Sequence, residues 1–122
     1  MTDPGPAPLP APLPAPGGPA LIWCPFADET SAAEVASHLL DEGLIACANI
    51  LPSMRSLYMW GGERGEGHEV GVLFKTDATL LDRACARLEQ LHPYDTPAII
   101  GWRADSAPAA TRTWLGDLVA GI

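Results

Sequence analysis

Residues 44–76 read LIACANILPSMRSLYMWGGERGEGHEVGVLFKT, and their pattern decides the fold. Leu44–Leu51 is a short run of strand length, apolar on both faces. Pro52 interrupts it as a bulge or bend would, because proline donates no ladder hydrogen bond. Ser56–Trp60 resumes the strand. Gly61–Gly67 then reads as a glycine-rich hairpin turn, and Glu69–Thr76 as the returning strand. A short connection of this kind forces the two strands to run antiparallel.

Each of these strands is flanked by a helix and a further strand. Upstream, Ala20–Phe26 is an apolar strand, followed by Asp28 as a helix N-cap and Glu29 in the first turn. Ala32, Val35, Ala36, Leu39 and Leu40 repeat at helical spacing until Gly43. Downstream, Asp77 caps a second helix with Leu80, Leu81, Ala84, Leu88 and Leu91 as its stripe, and Pro93 ends it. Thr96–Arg103 is the last strand, and Ala109–Ala120 a terminal helix. The order is β-α-β, β-α-β, then a helix. Doubling a β-α-β unit across an antiparallel join gives an α+β ferredoxin-like sandwich with two helices on one face of four strands. A dinucleotide-binding fold would need further parallel strands and a glycine-rich first turn.

The strands do not alternate apolar with polar. Val70, Val72 and Phe74 oppose Leu73, and Leu57 and Met59 oppose Tyr58 and Trp60. A sheet with one wet face would alternate. The second face is therefore expected to be covered, by another subunit.

Eight of the thirteen prolines lie in residues 1–19, with one charge, Asp3, and no aromatic. This composition predicts a disordered or polyproline-II tail before a single domain over residues 20–122. No cationic start with an apolar run marks a signal peptide, and no run is long enough to span a bilayer. The net charge of −8 and seven scattered Lys and Arg residues disfavour nucleic acid as a partner. Cys24, Cys47 and Cys85 are odd in number and widely spaced, which predicts reduced thiols in a cytoplasmic protein. Core packing is the expected role of Cys47 and Cys85.

Few residues carry recognisable chemistry. Side chains of the donor types that suit copper or zinc are scattered at Cys24, Glu66, His68, Glu69, His92 and Asp95, with no metal-ligand spacing among them. Tyr58, Trp60, Tyr94 and Trp114 combine aromatic bodies with polar tips, as residues at subunit seams and pockets do. Lys75 beside Asp77 reads as a salt-bridging cation rather than an anion holder. Gly61–Gly67 lacks the spacing of a phosphate loop. No nucleophile, base and orienting group stand together in a catalytic motif, so no catalytic residue and no organic cofactor are expected.

The landmarks Cys24, Leu44–Cys47 (LIAC), Ser56–Gly61 (SLYMWG), Lys75–Thr76, His92–Pro97 (HPYDTP) and Trp114 occur in one order across residues 21–118. In them the chain resembles the CutA family, small cytoplasmic proteins linked to divalent-cation tolerance. The resemblance implies a homotrimer whose long hairpin strands join sheets between subunits. It also implies binding of copper, as Cu(I) or Cu(II), or of another divalent cation. Its metal positions fall on Cys24, His92 and a third position after Thr-Pro, where this chain has Ala98 and so no ligating side chain. The inter-subunit cleft is expected to hold Tyr58, Trp60, Lys75, Tyr94, Arg103 and Trp114. A different class, a PII-like trimeric regulator reading a small anionic effector, would use Trp60, Lys75, Tyr94 and Arg103 in the same cleft.

Overall fold

A computed structural model describes residues 16–120 of the chain. Four strands form one antiparallel sheet in the order β2-β3-β1-β4, with β1 at Pro19–Phe26, β2 at Cys47–Trp60, β3 at Glu63–Asp77 and β4 at Ile100–Arg103. The helices are α1 (Glu29–Asp41), α2 (Leu81–Leu91, entered through a 3-10 turn at Ala78–Leu80) and α3 (Ala109–Ala120). This is the ferredoxin-like α+β arrangement that the residue pattern predicts.

Local chemistry sets the helix ends. Asp28 is extended and its carboxylate accepts Ser31 N–H at 2.7 Å, satisfying one of the open donors of α1. Gly43 follows with φ +70°, a conformation glycine adopts without steric cost. Asp77 accepts Thr79 N–H at 2.9 Å at the entry to α2.

Period-2 alternation in the strands meets the apolar stripes of α1 and α2. Ile22, Cys24 and Phe26 of β1 and Val70, Val72 and Phe74 of β3 pack with Ala32, Val35, Ala36 and Leu39 of α1 and Ala84 and Leu88 of α2. Burial of these side chains contributes on the order of 1.5–3 kcal/mol each for the larger ones. α3 lies against β1 and β3 with Leu115 and Val119 buried outside that cluster.

Three boundaries differ from the expected ones. β2 starts at Cys47 rather than Leu44, and the expected interruption at Pro52 is a bulge between Leu51 and Met54 with Ser53 at φ 47°. The hairpin turn is only Gly61–Gly62, with φ +59° and +81°, so β3 starts at Glu63 rather than Glu69. Positive φ at both turn positions matches the right-handed twist of the flanking strands. Finally, β4 pairs with β1 only from Ala20↔Arg103 to Trp23↔Ile100. Pro25 and Pro97 have no N–H to extend that ladder, so residues 96–99 leave the sheet as a loop.

Cys85 packs against the core cluster, but Cys47 does not belong to it. Ala48 and Ile50 take the core-facing positions, so the intervening Cys47 and Asn49 turn away, and Cys47 is half-buried opposite Lys75. Of the proline-rich segment, Pro16–Pro19 is described. Gly17 N–H donates to Asp77 Oδ1 (2.9 Å), Ala78 N–H to Gly18 O (2.7 Å) and Ala104 N–H to Pro19 O (3.0 Å). The disordered tail is expected over residues 1–19; residues 1–15 lie outside the described residues, and Pro19 already belongs to β1.

Candidate functional site

The end of β1 and the loop after α2 converge on one carbonyl. His92, at the C-terminal end of α2, brings Nε2 to 2.8 Å from Pro25 O. Tyr94 N–H donates to His92 Nδ1 at 3.1 Å. Because Nδ1 accepts, the ring proton sits on Nε2 and is donated to Pro25 O. Phe26 stacks on the imidazole with centroids 4.2 Å apart, and the Tyr94 ring is tilted against it at 4.7 Å. Burial holds the His92 pKa below its ordinary 6.5, against the raising effects of Pro25 O and the Glu69 charge. The neutral imidazole is the stable form, and both its nitrogens are in use.

Cys24 points to the same carbonyl, with Sγ 3.5 Å from Pro25 O. It is fully buried in the core cluster. Burial, with smaller contributions from the charges of Glu69 and Cys85, pushes its thiol up to about 12. A nucleophilic or metal-ligating sulfur needs the thiolate, which this environment disfavours. Cys24 and His92 are thus brought together, as neutral groups. Ala98 lies in the loop beside them and offers no donor. Among the described residues, no three His, Cys, Asp or Glu side chains gather to hold a metal ion. As folded in one protomer, the donor set does not fit a resident metal.

A cleft of about 730 Å³ opens beside this point. One wall is the hairpin, through Ser56–Trp60 and Gly67–Glu69. The other is Pro25 and the loop Tyr94–Ala98. Tyr94 O–H donates to Glu69 Oε2 at 2.9 Å and ties the walls together. Burial, followed by that bond to Glu69, pushes the Tyr94 phenol up to about 12. Tyr58 lies over Gly65 across the hairpin, where an added Cβ would stand 2.3 Å from its Cε2. Glycine there is what lets the ring lie down on the strand.

Of the six residues expected in the cleft, Tyr58, Trp60 and Tyr94 line it. Lys75, Arg103 and Trp114 do not line it in one protomer. Lys75 pairs with Cys47 and Leu21, ten positions along β3 from the Gly65 that faces Tyr58. At about 3.4 Å per residue that is on the order of 34 Å away. Arg103 is at the same far end, opposite Ala20, and Trp114 is exposed on α3. The cleft has Glu69 and Asp95 in its walls and neither Lys nor Arg. An anion-reading site has no cationic side chain to rest on there.

The family model described as CutA1 divalent ion tolerance protein matches residues 20–117. The chain belongs to the CutA1 divalent ion tolerance family. The divalent-cation tolerance protein CutA of Pyrococcus horikoshii is 41% identical over 95 residues, covering 78% of this chain and 92% of that one. That of Pectobacterium atrosepticum is 36% identical, covering 78% and 86%. The crystal structure of CutA1 from Ehrlichia chaffeensis superposes with a TM-score of 0.79 at 31% identity, covering 84% and 96%. CutA from Xylella fastidiosa gives 0.79 at 31% identity, covering 84% and 98%. Cys24, His92 and the whole cleft lie within the matched CutA1 region, whereas the Pro16–Pro19 segment bound to Asp77 lies before it.

Proposed function

We propose that this chain serves divalent-cation tolerance, copper tolerance first, as a cytoplasmic homotrimer that catalyses no reaction. The observation that carries the role is the CutA1 match across residues 20–117. Support for a trimer is the hairpin overhang. β1 pairs with β3 only from Val70 to Asp77, so Glu63–Glu69 and the opposing part of β2 extend beyond the sheet body. Leu57 and Met59, which alternate with Tyr58 and Trp60 along the ribbon, are 57% and 67% exposed, and Ile100 on the β4 edge is 62% exposed. A two-stranded ribbon with apolar sides is marginal alone and is stabilised when covered. Free Cys24, Cys47 and Cys85 agree with a reducing compartment. No helix among the described residues is long and apolar enough to cross a membrane.

The neutral Cys24 and doubly bonded His92 speak for stability first. Capture of Cu(I) or Cu(II) by this pair would require the thiol to lose its proton and His92 to give up one hydrogen bond. Their role as ligands is tested directly. Cells lacking their own CutA-family protein are complemented with this chain and grown in raised copper, zinc and cobalt. Purified protein is titrated with copper and zinc under reducing conditions and read by native mass spectrometry. Restored growth is the expected result, and no restoration with a soluble, folded chain would overturn the proposed role. Unchanged copper uptake in Cys24→Ala and His92→Ala variants would remove the pair as ligands.

A further inference from the structure

The walls of the cleft share a chemistry that neither a bare metal ion nor an anion exploits. Three aromatic residues, Tyr58, Trp60 and Tyr94, line the cleft together with two acidic residues, Glu69 and Asp95, and with Pro25 and Pro97. Aromatic faces carry negative potential and attract a cation whose charge lies within about 6 Å of the ring. The carboxylates supply net negative charge. The bond from Tyr94 O–H occupies only one oxygen of Glu69, and it orients the phenol without removing the charge. Hard divalent cations need several oxygen or nitrogen donors at fixed short range, and no such group of His, Cys, Asp and Glu exists among the described residues. An anion would face the carboxylates with no Lys or Arg in the lining.

We propose that the cleft binds a small organic ammonium ion, an amine or quaternary ammonium with an apolar body. The ammonium head sits between the aromatic faces and the Glu69 and Asp95 carboxylates, and its carbon body lies along Pro25 and Pro97. The cleft volume of about 730 Å³ falls in the range of small-molecule sites and admits a ligand larger than the head group alone. Tyr58 takes part only because residue 65 is glycine, since a methyl group there would lift its ring from the hairpin. Nothing in this proposal depends on metal capture by Cys24 and His92.

The test is run on the full chain in EDTA, so its outcome is separate from the copper and zinc titrations. Choline and benzyltrimethylammonium are titrated against the protein, following the Trp60 indole N–H by NMR and the heat of binding by calorimetry. The neutral isostere 3,3-dimethylbutan-1-ol and inorganic phosphate are controls. Saturable binding of both ammonium probes, at least tenfold weaker binding of the isostere and none of phosphate is the expected pattern. Trp60→Ala is expected to weaken binding by about 2- to 30-fold, the range of a cation–π contact. Glu69→Gln, which keeps an acceptor for Tyr94 but not the charge, is expected to weaken it about tenfold. Amide spectra establish that both variants are folded, and Gly65→Ala gives an independent displacement of the Tyr58 ring with loss of affinity. Absence of saturable binding by either ammonium probe would overturn the proposal. Equal binding of the isostere would also overturn it, as would folded variants that bind like wild type.

Discussion

Replacing Asp77 by alanine is expected to loosen the start of the domain. Asp77 is fully buried, and its Oδ1 accepts two backbone donors, Gly17 N–H and Thr79 N–H, each at 2.9 Å. Hydrogen bonds to a charged group contribute about 1.5–3 kcal/mol, and loss of a helix cap costs about 1 kcal/mol. Against this, Oδ2 is buried with no partner among the described residues, so removing the carboxylate also relieves a desolvation cost. The balance for Asp77→Ala is about 2 kcal/mol of destabilisation, or roughly 8–16 °C in Tm for a domain near 100 residues. Asp77→Asn keeps the Oδ1 acceptor and is expected to stay within about 1 kcal/mol of wild type. Thermal unfolding is compared at matched protomer concentration, because association shifts Tm. Hydrogen exchange at Gly17 is expected to rise only in the alanine variant. Equal loss in both variants, or unchanged exchange at Gly17, would refute the two-donor account.

Gly71→Ala is expected to cost about 1–3 kcal/mol by overpacking, because its Cβ would stand 2.3 Å from Trp23 Cη2 and 3.2 Å from Met54 Sδ; a denaturation midpoint measures it. The Cys24 pKa is raised from 9.0 to about 12, so its contribution to stability is complete below pH 9 and is lost as pH rises toward 12. The expected slope above pH 9 is about 1.4 kcal/mol per pH unit, read from denaturation between pH 8 and 11 and reduced in Cys24→Ala, where the raised Cys85 and Tyr94 groups still contribute. His92 has the opposite sense. Its pKa is lowered, so stability is present above pH 6.5 and falls as pH drops below it, which the same titration extended to pH 4.5 detects. Light scattering is expected to give three times the 12.8 kDa chain mass, and Leu57→Lys with Met59→Lys to reduce it toward one.

The helix and strand order was legible because hydrophobic period and capping agree locally: Asp28 and Asp77 mark helix starts, and the stripes of α1 and α2 repeat at helical spacing. The β3 and β4 starts differ for opposite reasons: Gly65 and Gly67 read as turn but lie in strand, whereas Pro97 reads as strand but lies in a loop. Only Gly61 and Gly62 have the positive φ that a turn needs, whereas Gly65 and Gly67 lie in extended strand, Gly65 making room for Tyr58. Conversely, Pro52 is absorbed by a bulge in β2. The pairing of Cys24 with His92 could be named from residue types, but not the lock on His92. Its partner Pro25 O is 67 positions away in sequence, and no periodicity encodes that contact. Within one protomer the length of β3 separates Lys75 and Arg103 from Tyr94, a distance that residue types do not encode. A signal for Glu69 was present in the sequence, as a lone acid between the glycine-rich stretch and an apolar strand.

The two walls of the cleft belong to parts of the fold with different support. Residues 92–98 are anchored by His92 in the core, through Phe26 and Pro25 O. Residues 56–60 belong to the ribbon beyond β1, which the core does not back. The bond from Tyr94 to Glu69 ties these walls together. Any contact that immobilises the ribbon, including the proposed neighbouring subunit, lowers the ordering cost that a cleft ligand must meet. Coupling of this kind is reciprocal, so occupancy of the cleft must strengthen association by the same factor. Tyr94→Phe deletes the tie while leaving both walls in place. It should therefore weaken ligand binding and subunit association together, a paired effect that a purely local contact would not produce.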